Sequence, residues 1–70
     1  MSALSVAMLY AASAIEWSRE YSYWANHARN ARKVGKTRKC AVCAAYAGDA
    51  KRRALRYAAM HRAALADIRA

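Results

Sequence analysis

The segment RNARKVGKTRKCAVC, residues 29–43, contains the first of only two glycines in a 70-residue chain that has no proline. Because glycine is the strongest helix-breaking residue available here, Val34, Gly35 and Lys36 form the predicted turn. Thr37 follows directly and is the predicted N-cap of the next helix. The segment also carries six basic residues, no acid and a Cys-x-x-Cys pair. It is therefore both the predicted fold point and a candidate binding site.

The composition favours helix almost throughout the chain. Twenty of the residues are alanine, and phenylalanine and proline are absent. Alanine has the most favourable helix propensity, so we expect an all-α protein. The length suits a single domain, residues 1–70, whose core is marginal for a chain on its own.

Each side of the turn contains apolar positions that repeat every three or four residues. The first series is Ala3, Ala7, Tyr10, Ala14, Trp17, Tyr21, Trp24, Ala28 and Ala31. The second series is Cys40, Cys43, Ala47, Ala50, Ala54, Tyr57, His61, Ala64 and Ile68. Such spacing is typical of a coiled-coil seam and predicts helices over about 3–33, with Ser2 as N-cap, and about 38–69.

Gly48 is the one weak point in the second helix. With Asp49 behind it as a possible new N-cap, Gly48 could end one helix and split the segment in two. An isolated glycine inside a helix costs only about 1 kcal/mol relative to alanine, so we expect the helix to continue.

Folding the chain at Gly35 sets large seam residues against small ones. Residues whose numbers sum to about 71 then face each other, which places Trp24 on Ala47 and Tyr10 on His61. Alternation of large and small side chains permits close interdigitated packing. The predicted fold is therefore an antiparallel two-helix hairpin with aromatic residues in its core.

A second apolar stripe on each helix indicates that the hairpin has a partner copy. The predicted dimer-interface residues are Leu4, Met8, Ile15, Leu55 and Leu65. Two helices alone bury little surface, and closed two-fold dimers are the commonest oligomers. We expect a homodimer that forms a four-helix bundle, with an elongated monomer as the alternative.

The cysteines, histidines and acids do not form a recognisable catalytic or metal-binding pattern. A structural zinc needs four ligands, and only His27 and His61 accompany Cys40 and Cys43, at the wrong spacing for a finger or ribbon. The main expectation is two buried thiols without metal or cofactor, with a zinc shared across a dimer left open. The four carboxylates suggest helix solvation rather than acid–base chemistry, so we expect no enzyme.

The basic residues are the strongest surface signal. The chain has 13 Lys and Arg against 4 Asp and Glu, and ten of the bases fall in two clusters. Together with two tyrosines off the seam, the predicted partner-binding residues are Tyr23, Arg29, Arg32, Lys33, Lys36, Arg38, Lys39, Tyr46, Arg52, Arg53 and Arg56. Bases that frame aromatic anchors are typical of protein interfaces, and the same bases also suit nucleic-acid phosphates.

The first fifteen residues bear on location. They are uncharged and contain an Ala-Ser-Ala triplet, but they lack the basic start of a secretory signal. Their apolar run is also too short to span a bilayer. We therefore expect a cytoplasmic protein. Among its possible partners, a membrane is the least favoured.

The chain resembles a known class of protein in three features: the seam from Tyr10 through Trp17 to Trp24, the turn at Gly35, and its short alanine- and arginine-rich sequence. It is similar to small phage-encoded proteins that bind host factors, including helical-hairpin anti-activators of a quorum-sensing transcription regulator. The resemblance covers the whole chain and transfers no individual residue. It implies an adaptor or inhibitor that sequesters a host protein by occlusion, with direct nucleic-acid binding as the alternative function.

Overall fold

A computed structural model describes residues 2–70 and confirms the all-helical hairpin. Helix α1 spans Ala3–Lys33 and helix α2 spans Thr37–Arg69. The two helices lie against each other along their length in a rod of 52 × 14 × 13 Å. These dimensions match two helices of about 30 residues at a rise of 1.5 Å per residue.

Helix α1 begins at the predicted cap. The side-chain oxygen of Ser2 accepts a hydrogen bond from the backbone N–H of Ser5 at 3.1 Å. This bond satisfies one of the N–H groups that the first turn of a helix leaves without a partner. The prediction that Ser2 starts the first helix is confirmed.

Helix α1 ends in a Schellman motif around Gly35. The backbone N–H of Lys36 bonds to the carbonyl of Ala31 at 2.9 Å, and that of Gly35 bonds to Arg32 at 3.2 Å. Gly35 has a φ of +74°, a conformation that strains residues with a Cβ atom. Glycine at this position therefore closes α1 and reverses the chain within three residues.

Helix α2 begins one residue earlier than predicted, so the assignment of Thr37 as its N-cap is wrong. Lys36 occupies the cap position without a side-chain hydrogen bond, and its carbonyl accepts from Cys40 N–H at 2.9 Å. The Schellman motif fixes Lys36 at the end of the turn, which forces Thr37 into the first helical position. At Gly48 the helix continues without a break, as predicted.

Within the described range, residues 2–70, the buried core consists only of small residues. Those with less than a tenth of their surface exposed are Ala7, Ala31, Cys43, Ala47 and Ala50. The predicted aromatic core is therefore only half correct: Trp17 and Trp24 are half-buried, and Tyr21 is 37% exposed. In a contact between two helices a large ring projects beyond the shared seam, because no third helix covers its outer side.

The predicted Tyr10–His61 pair is also replaced by other contacts. His61 Nδ1 lies 3.0 Å from the backbone carbonyl oxygen of Ala7. Since a carbonyl oxygen can only accept, Nδ1–H is the donor of this hydrogen bond. Tyr10 packs instead on Tyr57, with ring centroids 6.3 Å apart. The long side chains lean along the helices and meet partners up to about one turn from the simple register.

Candidate interaction surface at the turn end

Six bases surround the turn, and we call them the basic turn: they are Arg29, Arg32, Lys33, Lys36, Arg38 and Lys39. All six side chains are exposed. Arg29 is steadied by a hydrogen bond from its Nη2 to Asn26 Oδ1 at 2.7 Å. No acidic residue lies in the first turn of α2. The basic turn therefore forms a concentrated positive surface at one end of the rod.

The basic charge is opposed to the dipole of α2. Lys36, Arg38 and Lys39 lie at the N-terminal end of this helix, where the partial charge of the backbone is also positive. Acidic residues are the ones that stabilise a helix at this end. Folding alone therefore does not explain these bases, whereas a negatively charged partner would be attracted by both the side chains and the helix end.

An aromatic cluster joins the two helices next to the basic turn. It consists of Tyr23, Trp24, His27 and Tyr46. The Trp24 ring lies 4.8 Å from Tyr46 on the other helix and 5.0 Å from Tyr23 in an edge-on contact. The His27 ring lies 4.4 Å from Tyr23. The cluster thus forms one continuous aromatic surface built from both helices.

Half of this cluster is open to solvent. Tyr23 is 54% exposed and Tyr46 is 53% exposed, as their positions off the seam predict. Trp24 lies beneath them, and its Nε1–H donates to Glu20 Oε2 at 3.1 Å. Along the helix axis Trp24 lies about 16 Å from Gly35, eleven residues at 1.5 Å each. A partner that contacts the cluster would therefore also reach the basic turn.

The second basic cluster, which consists of Lys51, Arg52, Arg53 and Arg56, is partly engaged within the protein. The guanidinium of Arg53 lies 4.8 Å from the Trp17 ring, and its Nε donates to Asp49 Oδ2 at 3.1 Å. Lys51 Nζ lies 5.9 Å from the Tyr21 ring. These cation–π contacts between the helices were not predicted, because the sequence pattern placed both rings inside the core. Arg52 and Arg56 are exposed.

The predicted dimer-interface residues fall into two groups. Leu4, Met8, Ile15 and Leu55 are all more than half exposed, and we call them the apolar strip. Leu65 is half-buried in the single chain, and its assignment to a dimer interface stays a prediction. Leu9, which sequence reasoning missed because it lies off both stripes, is 52% exposed.

The cysteines behave differently from each other. Cys43 is buried as predicted and Cys40 is half-buried, and both are free thiols. Within residues 2–70, no three His, Cys, Asp or Glu side chains come close enough together to hold a metal ion. His27 lies in the aromatic cluster and His61 bonds to a backbone carbonyl, so the structure assigns each histidine a packing role.

Comparison with protein-family models, with curated proteins and with solved structures found no match. Among residues 2–70, neither helix is long and apolar enough to cross a membrane. The functional proposals below therefore rest on the geometry of the turn end and of the apolar strip.

Proposed function

We propose that this chain is a non-enzymatic adaptor or inhibitor that binds an acidic face of a partner protein through its turn end. The observation that supports this most is the exposed aromatic cluster next to the basic turn. Aromatic residues and arginines account for a large share of the energy in protein interfaces. The resemblance to phage-encoded hairpin inhibitors adds a class of partner, a host protein such as a transcription regulator.

The rigidity of the cluster supports binding rather than mere solvation. Tyr23 and Tyr46 are each fixed against a neighbouring ring, and Trp24 is fixed by its bond to Glu20. A partner therefore meets side chains that have already lost much of their conformational freedom, which lowers the entropy cost of association. The bases at the rim add steering toward acidic surfaces.

The acids near the cluster have packing roles that agree with a binding function. Glu20 holds the Trp24 ring, and Asp49 holds the Arg53 guanidinium over Trp17. Each carboxylate thus fixes the position of a side chain at the surface. The proposed inhibitor acts by covering a surface of its partner, and no step in its action requires a reaction.

A photo-crosslinking experiment tests this proposal. A benzophenone amino acid replaces Tyr46, and the control places it at Ala63, an exposed position of α2 that is far from the turn and borders the groove of Tyr10 and Met60 rather than the apolar strip. In lysate of cells that carry the gene, we expect one discrete protein adduct at position 46 and none at position 63. The double variant Arg38→Glu, Lys39→Glu should abolish that adduct, since it reverses the charge that attracts the partner. Equal labelling at both positions would refute the proposal.

Direct nucleic-acid binding is the second candidate function, and one observation favours it. All ten clustered bases are exposed, and within residues 2–70 only Arg53 forms an ion pair. Free bases release counterions from phosphates, so affinity should then fall steeply with salt. The exposed tyrosines offer surfaces on which bases could stack.

A salt titration separates the two candidates. Fluorescence anisotropy with random-sequence duplex and single-stranded DNA measures affinity between low and physiological salt. Submicromolar affinity that falls steeply with salt would establish nucleic acid as the main partner and refute the adaptor proposal as the primary activity. Absence of binding at low salt would exclude the nucleic-acid candidate. The matched variants are Arg32→Ala at the turn and Arg69→Ala at the far end, and only the first should weaken phosphate binding.

A further inference from the structure

The apolar strip is the largest feature that the turn-end site does not use. Leu4 is 57% exposed, Met8 64%, Ile15 54% and Leu55 61%. The three on α1 are spaced by four and seven residues, which places them on one helix face. Ile15 and Leu55 also border the same groove between the helices, together with Ser18 and Ala58. The strip is therefore a single surface made by both helices.

This surface lies apart from the aromatic cluster. Trp17 lies on the same side of α1 as Trp24 of the aromatic cluster, and it borders a separate hollow with Glu16 and Glu20. Trp17, Glu20 and Trp24 follow one another at intervals of three and four residues along that side of α1. A partner on the strip therefore leaves the aromatic cluster free.

The chain as a whole exposes more surface than a compact protein of its mass. The chain exposes 5387 Å², and its mass is 7.8 kDa. A typical folded monomer of that mass exposes about 4,400 Å². The excess of about 1,000 Å² belongs to the whole elongated chain and is slightly more than the ~800 Å² that each partner buries in a standard interface. One interface of standard size would therefore bring the exposed area per chain to that of a compact monomer.

The distribution of charge favours a second copy of this chain as the occupant, in an antiparallel direction. Residues 19–53, the turn half, contain ten bases and two acids, a net charge of +8. The rest of the chain, the terminal half, contains three bases and two acids, a net charge of +1. Two terminal halves can approach with little repulsion, whereas two turn halves side by side would bring together a net charge of +16.

We propose that two copies pack antiparallel through their terminal halves, with a two-fold axis near Met8 and Ala11. Each copy covers the apolar strip of the other, an isologous contact in which apolar surface meets apolar surface. The two turn ends then point in opposite directions. At 1.5 Å per residue from Ala11 to Gly35, they lie about 70 Å apart.

This arrangement has a functional consequence that does not depend on which partner the turn end binds. The dimer presents two copies of the basic turn at the ends of a rod. Two sites on one rigid body bind a partner with repeated or paired sites more tightly than either site alone. A parallel dimer would instead form one combined basic patch.

Two adjacent residues test the contact surface. Met8 belongs to the strip, and Leu9 is exposed on the same helix but outside it. Met8→Glu introduces a buried carboxylate in both copies, so the dissociation constant should rise by about 100-fold or more. Leu9→Glu should change it by less than about threefold. Analytical ultracentrifugation of the full chain measures both, and circular dichroism verifies that each variant remains helical.

Energy transfer between dyes tests the direction. An azido amino acid at position 34, which is 68% exposed at the turn, takes one dye per copy without use of the native cysteines. The antiparallel dimer predicts weak transfer over about 70 Å, and a parallel one predicts near-complete transfer below about 25 Å. Near-complete transfer, equal effects of the two glutamate variants, or a monomer at every concentration would each overturn the proposal.

Discussion

The turn half and the terminal half of the hairpin bury their side chains in different ways. Among residues 2–70, four of the five buried residues, Ala31, Cys43, Ala47 and Ala50, lie in the turn half, and only Ala7 lies in the terminal half. The turn half also holds the aromatic cluster, whereas the apolar strip lies in the terminal half. The turn half thus has the more fully buried seam and most of the charge, whereas the terminal half exposes a strip of aliphatic side chains along one face.

This difference indicates a division of roles along the rod. Small residues let the helices approach closely where the turn and the aromatic cluster must be held in place. The bases of the basic turn remain available to a partner, because the seam of small residues packs without burying their side chains. The uncovered terminal half suits contact with a second copy. Variants in each half should therefore have different effects, which the following measurements compare.

The largest effect is expected from overpacking the turn half. Ala50→Trp inserts a large ring at a position that is 2% exposed, where no space exists between the helices. Such insertions force backbone shifts that cost about 3 kcal/mol, a large share of the stability of a domain this small. Urea unfolding followed by circular dichroism, at one fixed protein concentration, measures the loss.

The control for this variant is Ala63→Trp, which makes the same change at an exposed position in the terminal half of α2, outside the apolar strip. Its free energy of unfolding should stay within about 0.5 kcal/mol of the wild type. If both variants are equally stable, Ala50 does not occupy a tight interhelical contact, and the contrast in packing between the halves is wrong.

The fold was largely predictable because its determinants are local. Gly35 is the only helix breaker between two uninterrupted seams, and the Schellman motif that it permits involves only residues 31–36. Periodicity marked the faces that meet, and Ser2 was recognisable as a cap from its residue type. The Thr37 cap was misplaced because the motif that ends α1 also sets the start of α2.

The candidate site was less predictable, because its contacts depend on the space around each ring. Heptad spacing identified Trp24 as a seam residue but did not show that Tyr23 and Tyr46 both pack against its ring. It also paired Tyr10 with His61, whereas in the structure Tyr10 packs on Tyr57 and His61 bonds to the carbonyl of Ala7. Side-chain direction in a two-helix contact depends on open neighbouring space, which sequence spacing does not encode.

A moderate effect is expected from the hydrogen bond in the terminal half. Among residues 2–70, the bond from His61 to the Ala7 carbonyl is the one side-chain hydrogen bond that joins the two helices. His61→Phe keeps an aromatic ring but removes the donor, so the free energy of unfolding should fall by about 1 kcal/mol. Urea unfolding at the same fixed concentration measures this change.

Tyr57→Phe serves as the matched control for His61→Phe. Tyr57 lies in the same half and is also half-buried, but its hydroxyl forms no hydrogen bond within residues 2–70. Its loss should change stability by less than about 0.5 kcal/mol. A His61→Phe variant as stable as the wild type would show that ring packing alone joins the terminal halves.

The smallest effect is expected from the surface contact between Arg53 and Trp17. The Arg53 and Asp49 side chains are 51% and 48% exposed, so solvent screens their ion pair, and the guanidinium adds a cation–π contact with the ring. Arg53→Ala should lower stability by about 0.5–1 kcal/mol, and by less at high salt. The neighbouring Arg52→Ala removes the same charge without an ion pair and should be nearly neutral. Equal losses of stability for both variants would mean that only net charge matters, and that the Arg53 contact does not stabilise the Trp17 ring.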